Sequence, residues 1–187
     1  MSSYFDISET PIADLVLLRR KLLGDSRGYL ERFFCQGDLK GLLKGRSIVQ
    51  MNHTLTVARG TVRGLHYQMP PHAEIKFVSC IRGEVFDVAV DLRRESSTFL
   101  MWHAEILSAD NHRTIVIPEG FAHGFQALSD ECEMVYLHTE AYQPSAERGL
   151  SAVDPKLSIQ WPLPVSNQSP RDLAHSLIDG TFEGVAL

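Results

Sequence analysis

Apolar and polar residues alternate through the middle of the chain in the way that predicts β-strands. Within residues 84–93 every second position shares one apolar strand face, and the opposite face mixes apolar residues with two aspartates. This pattern predicts a strand with one buried face. Similar short runs, separated by turn signals, predict an antiparallel sandwich or barrel. The runs cover residues 15–23 (with a basic interruption), 46–57, 75–81, 84–93, 102–107, 114–117 and 132–138.

The sequence predicts only two short helices. One covers residues 37–43, and the other begins near Ser169, a residue type that caps helices, followed by Pro170 at the first helical position and Asp172 at the third. Residues 163–170 are rich in Pro and Ser and predict a surface crossing. With 187 residues and no internal repeat, the chain is expected to form a single domain over 1–187.

Charge and composition exclude several classes of partner. The 18 Lys and Arg against 23 Asp and Glu give a formal charge of -5, whereas non-specific binding to nucleic acid or to anionic membranes needs a basic surface. No window approaches the roughly 20 apolar residues of a membrane span. Cys35, Cys80 and Cys132 are far apart and form no CxxC pair, so we expect small core residues in a reducing cytoplasm.

Two motifs have the spacing of the metal site in a cupin barrel, but only part of its ligand set. Gln68 replaces the usual second histidine, and Glu74 lies one residue beyond the usual carboxylate position. An open catalytic metal site usually needs three protein ligands. We therefore expect the histidines to serve proton chemistry, with no metal and no cofactor. The positions that fit the motifs are Gly60, His66, Pro118, Gly120 and His123.

Segments in order along nearly the whole chain resemble one enzyme family. RGLHYQ (63–68), VFDVAVDLR (85–93) and PEGFAHGF (118–125) are similar to segments of the dTDP-4-dehydrorhamnose 3,5-epimerases. The resemblance implies an all-β, cupin-type jelly-roll barrel with a few short helices, working as a homodimer without a cofactor. Further matching segments are GDSRGYLERFF (24–34), VQMNH (49–53), IKFV (75–78), Tyr136, YQP (142–144) and SIQWP (158–162).

The resemblance implies an isomerase that inverts C3, C5 or both in a nucleotide-linked 4-keto-6-deoxyhexose, to supply deoxysugars for surface polysaccharides of the O-antigen type. A ketone at C4 acidifies the neighbouring hydrogens, so the reaction needs a base, an acid on the opposite face and a group that holds the enolate oxygen. His66 corresponds to the base, and Asp172 to the carboxylate that orients its imidazole. Tyr136 corresponds to the acid, and Lys76 to the cation at the enolate oxygen.

The same resemblance implies a set of substrate-binding residues. Arg63 corresponds to a diphosphate ligand and His123 to a residue nearest the sugar, while Tyr142 is expected to stack on the base. The expected ligand is a sugar nucleotide linked to dTDP, CDP or GDP. The full set is Arg63, His123, Arg27, Gln50, Asn52, Tyr142, Glu147, Arg171 and Glu31.

One departure from the family pattern leaves the nucleotide open. Family members often place a glutamate five residues after the arginine, whereas this chain has Glu31 four residues after Arg27 and Arg32 at the fifth position. On a strand, that shift moves the carboxylate to the opposite face. The assignment to a thymidine nucleotide is weakened, because relatives that act on CDP- or GDP-linked sugars share the catalytic set.

The spacing of Arg63 and His66 requires an irregular strand if both residues are to serve one pocket. Residues three apart face opposite sides of a regular strand, so both can reach one pocket only if the ladder is disturbed, and we predict a bulge at Gly64. Asp87 and Asp91 share the second face of their strand, and we interpret them as structural partners of nearby cations.

Several alternatives stay open on the residues alone. A C3-only epimerase uses the same catalytic set. A sugar 3,4-ketoisomerase shares the fold but lacks this combination of histidine, lysine and tyrosine, and Gln68 disfavours a metal-dependent oxygenase. A non-catalytic sugar-binding cupin would tolerate loss of His66 or Tyr136. Asp172 could also act only as a helix-start carboxylate.

Overall fold

The computed structural model describes residues 4–187, which form β-strands and two short α-helices. In chain order the elements are β1 Phe5–Glu9, β2 Val16–Arg20, β3 Leu22–Asp25, β4 Gly28–Glu31, α1 Lys40–Leu43, β5 Gln50–Thr56, β6 Val62–Gln68, β7 Lys76–Arg82, β8 Glu84–Asp91, β9 Trp102–Ser108, β10 Arg113–Ile117, β11 Phe121–Ala127, β12 Cys132–His138, β13 Glu147–Gly149 and α2 Pro170–Leu173.

Two antiparallel sheets face each other across an apolar interior. One sheet has the strand order β1-β2-β10-β7-β12-β5, and the other has the order β13-β6-β11-β8-β9. Strands β3 and β4 form a separate hairpin. The interior joins side chains from both sheets, including Val78 and Met134 of the first and Val85 and Phe125 of the second. This architecture confirms the predicted all-β class.

Most predicted runs coincide with strands, and the differences have local causes. Residues 15–23 hold two strands, because the chain leaves the six-stranded sheet after Arg20. The buried guanidinium of Arg20 donates to Ser79 Oγ at 3.1 Å and to Thr114 Oγ1 at 2.7 Å, which anchors the chain where it turns away. Strand β5 begins only at Gln50, so the first residues of the run 46–57 lie outside it.

Strand β8 was predicted to bury one face, but the structure buries both. Val85 and Ala89 pack into the interior between the sheets, whereas Val88 and Val90 pack on the outer side of the five-stranded sheet. The outer side is covered by the C-terminal segment, which contributes side chains such as Leu157. Both faces are therefore buried.

Of the strands that carry the two motifs, β11 lacks a regular alternation and all its residues are buried, whereas the alternation in β6 is interrupted at Gly64. Helix α2 begins at Pro170 as predicted, and Ser169 Oγ caps it by accepting the Asp172 backbone N–H at 3.1 Å. Helix α1 covers only part of the predicted 37–43. No helix within residues 4–187 has the length and apolar character needed to cross a membrane.

Candidate active site

A cavity of about 740 Å³ opens between the two sheets. Its walls come from β5, β6, β7, β11 and β12, and α2 closes one side. Every predicted site residue except Arg27 and Glu31 lines this cavity. Those brought together are His66, Asp172, Tyr136, Lys76, Arg63, His123, Gln50, Asn52, Tyr142, Glu147 and Arg171.

The disturbance predicted at Gly64 is present in β6. Three steps along β6, from Arg63 to His66, correspond to two steps along β11. Gly64 has a φ of 114°, and a Cβ there would come within 2.6 Å of the Gly124 Cα. Only glycine fits this close approach of two backbones. The extra residue brings Arg63 and His66 to the same cavity, as the spacing argument requires.

His66 and Asp172 form a hydrogen-bonded pair at one wall. Asp172 Oδ1 lies 2.6 Å from His66 Nε2, and the Asp172 side chain is only 4% exposed. Helix α2 holds the carboxylate in place through the Ser169 cap. Arg171 Nη2 also lies 3.1 Å from His66 Nε2, but arginine cannot accept a hydrogen bond. The proton on Nε2 is therefore directed to Asp172, and this fixes the tautomer.

Nδ1 is the nitrogen of His66 that is available as a base. Within the described residues, the hydrogen bonds of this imidazole run through Nε2. Burial lowers the pKa of His66, and the hydrogen bond and negative charge of Asp172 oppose that shift. Because the net direction is downward, the imidazole is mostly neutral at pH 7 and keeps the Nδ1 lone pair.

Tyr136 approaches the cavity from the opposite sheet. It lies on β12 of the six-stranded sheet, whereas His66 lies on β6 of the five-stranded sheet. Burial, followed by the negative charge of Asp87, raises the pKa of Tyr136, so the phenol keeps its proton at neutral pH. Its ring meets the edge of His123 at a centroid distance of 6.0 Å. A neutral imidazole and a protonated phenol thus enter the cavity from different sheets.

His123 is held by a carboxylate to which the sequence assigned no place in the site. Its Nε2 lies 3.0 and 2.9 Å from the two carboxylate oxygens of Asp87, which is fully buried. The interpretation of Asp91 as the partner of a cation is confirmed by its 2.8 Å contact with Arg93. For Asp87 the partner is an imidazole of the cavity, on the neighbouring strand β11.

Lys76 lies against two further cavity residues that sequence reasoning missed. Its Nζ is 2.9 Å from Glu74 Oε1, and Glu74 Oε2 is 2.7 Å from His138 Nδ1. The three side chains are nearly buried. A signal for His138 was present, because it alternates with Tyr136 along β12 and so shares the inner face.

The more exposed end of the cavity gathers the residues predicted to bind the nucleotide. The Tyr142 hydroxyl donates to Glu147 Oε2 at 2.7 Å, and Arg171 Nη1 donates to the same oxygen at 2.9 Å. Gln50 Oε1 accepts the Tyr142 backbone N–H at 2.9 Å. The Tyr142 ring is about half exposed, which leaves a face open for stacking.

Arg27 and Glu31 are not brought to the cavity of this chain. Arg27 lies at the turn of the β3–β4 hairpin, and its exposed guanidinium pairs with Asp25. Glu31 Oε2 accepts from Arg20 Nε at 2.9 Å and lies 3.1 Å from His112 Nδ1. Glu31 therefore anchors the end of the hairpin to the six-stranded sheet.

Three potential metal ligands, His66, Asp172 and His175, lie within 4.8 Å of one another. The contact between His66 and Asp172 is a short hydrogen bond, and Arg171 adds a positive charge beside the same nitrogen. Gln68, at the place of the usual cupin ligand, is bound at both ends of its amide by backbone groups. This donor set suits a proton better than a metal ion, and a metal-free site stays a prediction.

Comparison with known proteins gives a consistent assignment. The family model described as dTDP-4-dehydrorhamnose 3,5-epimerase matches residues 9–179. The dTDP-4-dehydrorhamnose 3,5-epimerase of Shigella flexneri is 43% identical over 170 residues, covering 90% of this chain and 93% of the relative. A dTDP-4-dehydrorhamnose 3-epimerase of Streptomyces niveus is 38% identical over 149 residues, covering 79% of this chain and 72% of the relative.

A solved structure agrees over nearly the whole chain. The crystal structure of dTDP-6-deoxy-D-glucose-3,5-epimerase from Legionella pneumophila Philadelphia 1, in complex with dTDP-4-keto-L-rhamnose, superposes with a TM-score of 0.90. It is 39% identical and covers 98% of each chain. The predicted cupin-type barrel is thereby confirmed. The chain belongs to the dTDP-4-dehydrorhamnose 3,5-epimerase family and is an isomerase of a nucleotide-linked 4-keto-6-deoxyhexose in deoxysugar biosynthesis.

Proposed function

We propose that the protein inverts both C3 and C5 of a dTDP-linked 4-keto-6-deoxyhexose without a cofactor. The observation that carries the proposal is the pairing of a free imidazole nitrogen on one sheet with a protonated phenol on the other. The thymidine nucleotide is supported by relatives, because the Legionella pneumophila structure holds dTDP-4-keto-L-rhamnose and a Bacillus anthracis structure holds TDP.

The reaction uses His66 as the base and Tyr136 as the acid. Nδ1 of His66 takes a proton from a carbon beside the ketone, and the electron pair moves onto O4 as an enolate. The Lys76 ammonium group stabilises that oxygen, and the Tyr136 hydroxyl returns a proton to the opposite face of the carbon. Solvent then removes the proton from the imidazole and restores the phenol. Asp172 orients the imidazole and stabilises its positive charge.

The remaining cavity residues are proposed to hold the substrate. Arg63 supplies positive charge for the diphosphate, and His123 lies beside Tyr136 where the sugar would sit. Tyr142 stacks on the base, with Gln50 binding its backbone. The other predicted binding residues are Asn52, Glu147 and Arg171.

The test is incubation in D₂O with the dTDP-, CDP- and GDP-linked 4-keto-6-deoxyglucose in parallel, with deuterium at C3 and C5 measured by NMR. Label at both carbons with the dTDP sugar supports the proposal. Label at C3 alone makes the protein a 3-epimerase, like the Streptomyces niveus relative. Label only with a CDP or GDP sugar shows that the proposed nucleotide is wrong. No label with any donor favours a non-catalytic sugar-binding protein.

The working form is proposed to be a homodimer. Strand β5 is an edge strand of its sheet, and an edge that carries exposed apolar side chains is suited to association. Arg27 stands on a hairpin that also exposes apolar side chains, and we propose that it reaches the cavity of the partner subunit. Glu31 would support that hairpin through Arg20. The exposed apolar residues are Val49, Met51, Leu55 and Val57 near β5, and Leu22, Leu23, Tyr29 and Leu30 on the hairpin.

Subunit mixing tests this arrangement. Arg27→Ala and His66→Ala homodimers are each expected to be weak, but a heterodimer restores one site that has both residues intact. Refolding an equal mixture should therefore recover roughly a quarter of the sites. A mixture no more active than the average of its parents, or a monomer by light scattering, contradicts the proposal.

A further inference from the structure

A continuous chain of polar contacts crosses one wall of the cavity and ends at Lys76. Gln50 Nε2 donates to Asn52 Oδ1 at 3.3 Å, and Asn52 Nδ2 lies 3.4 Å from His138 Nε2. His138 Nδ1 is 2.7 Å from Glu74 Oε2, and the other oxygen of Glu74 is 2.9 Å from Lys76 Nζ. Two residues without an assigned role thus connect predicted substrate-binding residues to the predicted enolate-stabilising lysine.

The backbone register explains why these side chains meet. His138 lies directly opposite Lys76 in the pairing of β12 with β7, and opposite Gln50 in the pairing of β12 with β5. Glu74 precedes β7 by two residues, so its side chain reaches back over the same row. The sheet therefore sets the positions of Lys76 and His138, and Glu74 joins them from the segment that leads into β7.

The charge of Glu74 is complementary to that of Lys76, and its contacts determine how His138 is protonated. Burial alone would raise the pKa of Glu74, but Lys76 and His138 outweigh burial and lower it, so the carboxylate is ionised at neutral pH. An ionised Glu74 requires Nδ1 of His138 to be the donor, which leaves Nε2 as the acceptor for Asn52. The geometry of these contacts therefore assigns a proton to Nδ1 of His138.

Lys76 needs such support for two physical reasons. A lysine has a flexible four-carbon stem, and burying a charged group without a partner of opposite charge is costly. The Lys76 side chain is 10% exposed, and Glu74 is the anion that contacts it. We propose that Glu74 and His138 are positioning residues, in which Glu74 fixes the Lys76 ammonium group at the cavity wall and His138 fixes Glu74.

This inference rests on the proposed role of Lys76 at the enolate oxygen. Lys76 is not itself replaced in the test, because its loss would not separate chemistry from positioning. The test variants are Glu74→Gln, which removes the anion but keeps the shape, and His138→Ala, which removes the support of Glu74. His138→Asn is the conservative rescue, because its amide can donate from nearly the place of Nδ1.

A matched control exists outside the cavity. Glu105 also joins an imidazole and a cation, since it lies 3.3 Å from His103 Nε2 and 2.7 Å from Arg113 Nη1. Glu105→Gln therefore removes the same kind of carboxylate bridge without touching the cavity wall. Its kcat and KM should match those of the wild type, and circular dichroism should show that all variants are folded.

The expected result is a loss in kcat with little change in KM. Removal of one oxyanion-stabilising donor costs about 10²–10³-fold, so Glu74→Gln, which misplaces the donor, should lower kcat by about 10- to 100-fold. His138→Ala should lower kcat by a smaller factor of about 3- to 10-fold, and His138→Asn should return to within about twofold of the wild type. ¹⁵N NMR of His138 should show the proton on Nδ1 in the wild type and its redistribution in Glu74→Gln.

Each outcome decides between the two proposals. A wild-type protein without deuterium exchange on any sugar nucleotide refutes the proposed function, and with it the role of Lys76 on which this inference depends. An active wild type with Glu74→Gln as active as Glu105→Gln refutes the inference alone. A wild-type His138 without a proton on Nδ1, or no difference between His138→Ala and His138→Asn, also overturns it.

Discussion

Replacing Asp172 with asparagine separates the two roles that this residue can have. Asparagine keeps an oxygen that can accept the His66 Nε2 proton, and it keeps the shape of the side chain at the start of α2. It removes only the negative charge. If Asp172 orients the base and stabilises the imidazolium, catalysis suffers, whereas a residue that only complements a helix start affects stability alone.

The size of the effect follows from the geometry of the pair. The Nε2–Oδ1 distance is 2.6 Å and the Asp172 side chain is 4% exposed, so water screens the charge little. A hydrogen bond to a charged group contributes about 1.5–3 kcal/mol. With 1.36 kcal/mol for each tenfold change in rate, loss of the charge should lower kcat by about 10- to 150-fold.

The pH profile gives a second and independent readout. In its proposed role as the base, His66 is active only when neutral, so activity should fall as pH drops through its pKa. Asp172 raises that pKa against the lowering effect of burial, and removing the charge should therefore lower the pKa further. The acid limb of kcat/KM should move to lower pH in Asp172→Asn, while kcat on the plateau is reduced.

The assay is initial-rate deuterium exchange from pH 5 to 9, with thermal unfolding measured on the same samples. A plateau rate within about threefold of the wild type refutes the assigned role, because it lies below the smallest effect expected from the charged hydrogen bond. A lowered Tm with unchanged rate would assign Asp172 to the helix alone. A shift of the acid limb to higher pH would contradict the electrostatic argument.

Three further predictions follow from single side chains. Gly64→Ala should lower the free energy of unfolding by about 2–6 kcal/mol in urea denaturation, because the Cβ meets the Gly124 backbone at a positive φ; a stability equal to the wild type contradicts the close approach. Tyr136→Phe should lower inversion by about 10²–10⁴-fold while His66 still exchanges deuterium with retention, as NMR would distinguish; undiminished inversion contradicts its role as the acid. Burial raises the pKa of the Cys80 thiol to about 12, so it should react with a thiol reagent only after unfolding, and rapid reaction in the folded protein contradicts its burial.

The features that the sequence predicted well depend on local rules. The cap at Ser169 with Pro170 and Asp172 needs only neighbouring residues, and α2 begins where those residues place it. The disturbance at Gly64 follows from the parity of strand positions, since two residues three apart were required in one cavity. The cap rests on local backbone geometry alone, whereas the bulge also needed the family resemblance, which placed Arg63 and His66 in one site.

The features that the sequence missed depend on which strands become neighbours. Asp87 contacts His123 because β8 pairs with β11, and Glu74 contacts His138 because β7 pairs with β12. Neither partner is close in sequence, so periodicity assigns a face but not a contact. The burial of the second face of β8 could not be predicted from the alternation of the strand, because the segment that covers it comes from the C-terminal part of the chain.

The extra residue at Gly64 determines both which side chains of β6 face the cavity and how the strand packs. Without it, a regular β6 would turn either Arg63 or His66 away from the cavity, and the chain would lose its proposed diphosphate ligand or its proposed base. With it, Leu65 packs on the outer side of the sheet while His66 faces the cavity, so the apolar surface of β6 is still buried. The bulge therefore costs little packing, and it places the Arg63 guanidinium and the His66 imidazole, proposed as the diphosphate ligand and the base, on the same side of one strand.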